Sequence, residues 1–262
     1  MKVVLFDIDG TLITTGGGAK QAFSRALSEA AGRPIESDGY PFSGKTDPQI
    51  ARDILTANGV AAEALETAIP EAIRLYLRYF AEDLPRMESA RVLPGVRQLL
   101  DALAAHERPA AGQGGGDGAQ RHPATAATPS ARAASRTGVR TALLTGNVAE
   151  GSHLKLGHFG LTHYFDYSLS CFASDDVDRY RLPALALERA RRALGPGIAG
   201  RDLILVGDSE HDVLCGRSVG ARSVAVATGW TSAEKLRALG ADAVLEDLSD
   251  TERALEAIFT GD

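Results

Sequence analysis

The chain has 262 residues, 44% of them hydrophobic, and a net charge of −6. It can therefore bury a real core in one or two domains, and it lacks the basic face that attraction to nucleic acid or an anionic membrane surface requires. Its two cysteines, Cys171 and Cys215, have no metal-ligand spacing and fit a reduced, cytosolic compartment; no apolar run approaches the ~20 residues of a membrane span, and MKVVLF is too short for a secretory leader.

Val3 to Phe6 is a β-branched and aromatic run closed by acids and a glycine, the pattern of a buried parallel strand. The following TTGGGAK fails the phosphate-loop pattern, because no Ser or Thr follows Lys20; Gly16–Gly18 reads instead as a hinge. Apolar residues at helical spacing then predict helices over 19–32, 47–59 and 61–84, with Asp47 as N-cap, Pro48 at the first position and Pro70 breaking or kinking the third. This stretch reads as a small helical domain, residues 15–90, inserted into an α/β core made of 1–14 and 91–262, with a second hinge near Arg91–Pro94.

Beyond the helical GVRQLLDALAAH, Arg108 to Thr137 contains no Leu, Ile, Val, Met, Phe, Tyr or Trp. Such a tract cannot offset the entropy of ordering, so disorder is expected over about 107–138. Strand-like runs return at 139–147, 202–208 and 221–229, each followed by a helical pattern. The class is α/β, a doubly wound parallel sheet whose carboxyl ends form one rim.

Asp7 and Asp9 leave the first strand at that rim, and Asp208 leaves another, with Asp212 one helical turn on. Each pair of converging carboxylates repels by about 4 kcal/mol at 4 Å in an effective dielectric of 20, so a cation must offset them. Oxygen-only ligands suit Mg²⁺. Thr145 ends the TALLT strand, with Gly146 and Asn147 in the turn that follows, so its hydroxyl and nearby N–H groups could take a phosphoryl oxygen or simply cap the next helix. In FSGKTDPQI, Lys45 and Thr46 precede a helix N-terminus that could meet an anionic substrate. His211 beside the acids is a poor ligand for a metal that wants oxygen; His153, His158 and His163 read as surface or satisfied histidines, and Trp230 and Phe172 as packing residues.

FDIDGTL, LLTGN and LVGDSEHD, in that order, resemble the first, second and fourth motifs of the haloacid dehalogenase superfamily, and the helical insertion after the first strand resembles its phosphoglycolate-phosphatase-like branch. The resemblance implies a phosphatase acting on a small phosphorylated metabolite, with Asp7 as nucleophile and Asp9 as general acid and base. It also implies that Asp7, Asp208 and the Asp9 carbonyl hold Mg²⁺ while Asp212 orients that set, and that Thr145, Gly146 and Asn147 bind the phosphoryl group. The third motif departs from the family pattern. A lysine is expected, but none lies between Lys155 and Lys235, leaving Arg179, favoured for its place before the Leu182–Pro183 helix start, or Arg181. A phosphosugar mutase, a phosphonoacetaldehyde-hydrolase-like enzyme using Lys45, and a non-catalytic phosphoryl-binding module remain the alternatives.

Overall fold

The computed structural model describes residues 1–106 and 138–260, so the tract expected to be disordered lies, but for Gly138, outside the described residues. Five strands, β1 (Lys2–Phe6), β4 (Val139–Leu143), β5 (Leu203–Gly207), β6 (Arg222–Val226) and β7 (Ala243–Leu245), form one sheet in the order β4-β1-β5-β6-β7. Every pairing in it is parallel. The short β7 carries too little pattern to be read from sequence.

Alternation along β1 explains the two-sided packing. Val4 and Phe6 join a core with α4 (Val96–His106) and α9 (Thr251–Phe259), while Val3 and Leu5 face α6 (Leu182–Leu194). The register pairs Phe6 with Leu143 and with Val206, so the residues after all three emerge side by side at the carboxyl edge.

Between β2 (Ile13–Thr14) and β3 (Arg91–Val92), which pair antiparallel, the chain forms α1 (Gly18–Ala30), α2 (Asp47–Ala57) and α3 (Ala62–Asp83). These helices bury an apolar core of their own, including Phe23, Leu27, Ile54, Leu75 and Phe80. The expected second hinge is thus partly tied down by the β2–β3 ladder.

Two local expectations are narrowed by the structure. Pro70 does not break α3, which runs continuously through it. Pro70 and Glu66, whose carbonyl loses its bond, are both exposed, so water serves that group. The burial of Leu65, Ala68, Ile69, Ala72 and Leu75 on the opposite stripe outweighs the ~3 kcal/mol cost of an interior proline. Nor is Asp47 the N-cap of α2: Thr46 is, its hydroxyl accepting from Gln49 N at 3.3 Å, with Pro48 in the first turn. Asp47 is buried and used elsewhere: its N–H donates to Gly146 O (2.8 Å), and Val148 N donates to its carboxylate (2.8 Å). These bonds seat the helical unit on the loop that follows β4. Among the described residues, no helix is long and apolar enough to cross a membrane.

Candidate active site

The strand register places Asp7 and Asp208 on neighbouring strand ends, and Asp212 one turn into α7 (Glu210–Cys215). All three are buried, and one carboxylate oxygen from each lies within 4.8 Å of the others. Burial lifts the Asp7 pKa to about 6; the Arg179 guanidinium opposes the rise, while Asp212 and Asp9 add to it. Burial, then Asp212 and Asp7, push Asp208 well above the usual carboxylate range. Such a cluster disfavours its own ionisation and so has an affinity for positive charge.

Asp208 sits in a slot that only glycines leave open. A Cβ on Gly229 would lie 1.7 Å from its Oδ2, and one on Gly10, whose φ is +82°, would lie 2.6 Å from the same atom. Thr11 Oγ1 donates to Asp208 Oδ1 at 3.1 Å from the same side as Gly10, and Thr228 Oγ1 ties that turn to the β6 loop through Gly10 O (2.5 Å). On these sides the carboxylate has no room for an added methyl group. Gly229→Ala is therefore expected to cost ~1–3 kcal/mol as an overpacked site, read as a melting-temperature fall of roughly 2–10 °C. A variant melting with the parent would mean that Asp208 has room the glycines do not show.

Of the two candidate arginines, the structure brings Arg179 into the site. It is 2% exposed, and its Nη2 bonds Asp212 Oδ1 and lies 3.4 Å from Asp7 Oδ1. Arg181, on the outer side of the same helical turn, leaves 73% of its side chain exposed and faces Asp176 at 3.6 Å. The other oxygen of Asp212 accepts from Ser209 N (3.0 Å) and Oγ (2.6 Å) in a reciprocal cap of α7. Both Asp212 oxygens are thus engaged, which suits a residue that orients its neighbours.

Asp9 stands beside this cluster with 41% of its side chain exposed. Its Oδ2 accepts from Asn147 Nδ2 (2.9 Å) and from Lys155 Nζ (2.5 Å). Lys155, which sequence reasoning gave no role, projects from α5 (Ala149–His158) and is 2% exposed; its ammonium also donates to Asn147 Oδ1 (2.5 Å). Burial works against that charge, but Asp9, Tyr76 and Asp47 outweigh it and raise the Lys155 pKa. One signal could have revealed it: Lys155 falls on the buried stripe of α5 with Gly151 and Ser152, where an unpaired lysine has no place.

Several other assignments change. Thr145 is fully buried and is not among the residues that line the cavity; its hydroxyl accepts from Asn147 N at 3.3 Å and from Asn147 Nδ2 at 2.9 Å, so it supports Asn147. Gly146 does line the cavity, close under the Lys45 carbonyl, which a Cβ there would meet at 2.0 Å. Lys45 lines it too, but Thr46 does not: its hydroxyl caps α2 and donates to Val177 O (2.7 Å). Trp230 is not a packing residue; it is 95% exposed at the cavity wall, because the β6 loop carries it past Gly229 to the rim. Phe172 does pack, against Tyr167 with ring centroids 6.4 Å apart. His211 stays outside the acid cluster, with Nδ1 3.1 Å from Tyr180 Oη, and burial followed by Arg179 lowers its pKa.

Asp7, Asp9, Asn147, Lys155, Arg179 and Asp208 line a cavity of about 490 Å³ between the carboxyl rim of the sheet and the helices α1 to α3. A family model described as HAD-hydrolase-like matches residues 182–251. The chain is 26% identical over 260 residues to a phosphoglycolate phosphatase of Agrobacterium fabrum, covering 97% of this chain and 91% of the relative. It is 31% identical over 113 residues to the pyrophosphatase PpaX of Halalkalibacterium halodurans, a match that covers 43% of this chain and half the length of that relative. Among solved structures, a predicted phosphoglycolate phosphatase from Haemophilus somnus superposes with a TM-score of 0.66 at 19% identity, over 97% of this chain and 98% of the other. With acids at the ends of β1 and β5, the chain is similar to HAD-like hydrolases over residues 182–251 and, over nearly its whole length, to phosphoglycolate phosphatases.

Proposed function

We propose that the protein is a Mg²⁺-dependent phosphatase that hydrolyses a small phosphomonoester through an aspartyl-phosphate on Asp7. The observation that carries this reading is the buried trio of Asp7, Asp208 and Asp212, crossed by a single guanidinium and set beside a second, half-exposed acid, Asp9. The donor set fits a hard cation: the oxygens are close and buried, and one arginine cannot balance three carboxylates. Asp7 and Asp208, with the Asp9 carbonyl, would hold Mg²⁺, which when bound neutralises charge on the phosphoryl oxygens.

The chain's own groups do the rest. The Asp7 carboxylate attacks phosphorus, forming the acyl phosphate as the ester P–O bond breaks, and the leaving oxygen takes a proton from Asp9. Asp9 then removes a proton from water, whose oxygen attacks phosphorus and releases inorganic phosphate with Asp7 restored. Lys155 and Asn147 hold Asp9 in place for both steps, and Arg179 steadies Asp7 against Asp212. The helical unit, residues 15–90, serves as a cap that keeps bulk water from the acyl phosphate.

A panel of phosphomonoesters assayed with Mg²⁺ and with chelator tests the reading; phosphate release at equal rates in both would remove the metal from it. A thermal scan adds an activity-free check. At about a hundredfold its Kd, Mg²⁺ should raise the melting temperature by roughly 5–10 °C, and Asp208→Asn should abolish that rise. An equal rise in the variant would place the ion elsewhere.

A further inference from the structure

The helical side of the cavity is built for more than a two-carbon acid. Its volume, about 490 Å³, lies in the range that encloses sizeable organic ligands. Phe23, Phe42, Ile50 and Tyr76 line it there. Phe23 meets Phe42 edge-on with centroids 5.8 Å apart and Tyr76 at 4.9 Å, so the rings form one continuous surface that favours an apolar or flat body.

The cations in the cavity wall are paired with one exception. Arg179 pairs with Asp7 and Asp212, Lys155 with Asp9, and Lys45 with Asp53 at 2.9 Å. Lys20 forms no ion pair or hydrogen bond among the described residues; its half-buried ammonium lies 5.3 Å from the Phe42 ring centroid. A cation in the first turn of α1 opposes that helix's dipole, so helix stability does not account for it. The ring keeps the ammonium at the cavity wall, where it remains without a counter-charge.

Resting on the phosphatase reading, we propose that the substrate's alcohol portion carries an apolar or aromatic body seated on Phe23, Phe42 and Tyr76, and beyond it a second anionic group received by Lys20. The matched probes are benzyl phosphate and 4-carboxybenzyl phosphate, whose leaving groups differ chiefly in the distal charge. The parent is expected to show kcat/KM about tenfold higher for the carboxylated ester, and higher than for 2-phosphoglycolate. Lys20→Gln brings the ratio of the two benzyl esters close to one, and Lys20→Arg restores it. A ratio near one in the parent, an unchanged ratio in Lys20→Gln, or a preference for 2-phosphoglycolate overturns the proposal.

Binding is read separately in Asp7→Asn, through the emission of Trp230, the single tryptophan of the chain and a residue of the cavity wall. The carboxylated ester should bind about tenfold more tightly than the plain one, with the difference lost on adding Lys20→Gln. Equal affinities sink the distal site. Absence of phosphate release from every ester would instead remove the phosphatase reading, and the titration would still decide whether Lys20 selects the anion.

Discussion

Asp7→Asn should be catalytically dead yet no less stable than the parent. The amide is a far poorer nucleophile than the carboxylate, and loss of a covalent nucleophile leaves only the contribution of binding and electrostatics, so a fall of at least ~10⁴-fold in kcat is expected. Stability runs the other way. The folded-state pKa of Asp7 is raised by burial to about 6 from an ordinary 3.8. A carboxyl raised in this way binds its proton more tightly folded than unfolded. Its contribution therefore declines as pH rises from about 4 to about 6, and above that window its charge is a cost of order 2–3 kcal/mol. Asparagine removes that cost, offset in part by the lost attraction to Arg179. At pH 7.5 without metal, the variant should melt at or above the parent's temperature. Turnover within tenfold of the parent would remove Asp7 from the reaction, and a strongly lowered melting temperature would mean that the carboxylate is held mainly for structure.

Arg179→Ala should be the most damaging change that spares the acids themselves. It strips the guanidinium from between Asp7 and Asp212 and leaves buried carboxylates uncompensated, at a cost of about 3–5 kcal/mol. It also frees the nucleophile to turn away from phosphorus, so kcat/KM is expected to fall by about 10²–10³-fold. Arg181→Ala removes only an exposed pair with Asp176, and its effect should stay within ~0.5 kcal/mol. Arg179→Lys is informative between the two: an ammonium restores the charge, but it is a compact point where the planar fork spans two carboxylates. Partial recovery of stability with poorer recovery of kcat/KM is the expected pattern, measured by thermal scans and steady-state kinetics. Equal losses in the Arg179 and Arg181 alanine variants would contradict the assignment.

The strand ends were legible because their chemistry is local. An apolar run closed by acids, at β1 and again at β5, fixes both a buried strand and a carboxylate at its rim, so Asp7 and Asp208 could be named before any packing was known. Arg179 could be narrowed only to a pair, because one helical turn separates a buried side chain from an exposed one and depends on how Asp178 caps that turn. Lys155 was missed for a different reason: its partner Asp9 is brought to it by the fold across 146 residues of sequence, and locally only its place on the buried stripe of α5 marks it. The cap fell to Thr46 and not to Asp47 because two adjacent residues can both cap a helix, and Asp47 is taken up by docking on Gly146 and Val148. Trp230 was misread because a lone aromatic is usually core, whereas here it stands 95% exposed at the cavity wall.

In the proposed reaction the phosphoryl group passes through the Asp7 carboxylate. Rapid quenching of the enzyme during turnover of a hydrolysed ester, followed by borohydride reduction and peptide mass spectrometry, converts an acyl phosphate at that position into homoserine. Homoserine at residue 7, dependent on substrate and absent from Asp7→Asn, is the predicted result. An unmodified Asp7 in enzyme caught turning over under conditions where the acyl phosphate accumulates, or reduction at a different carboxylate, would contradict it.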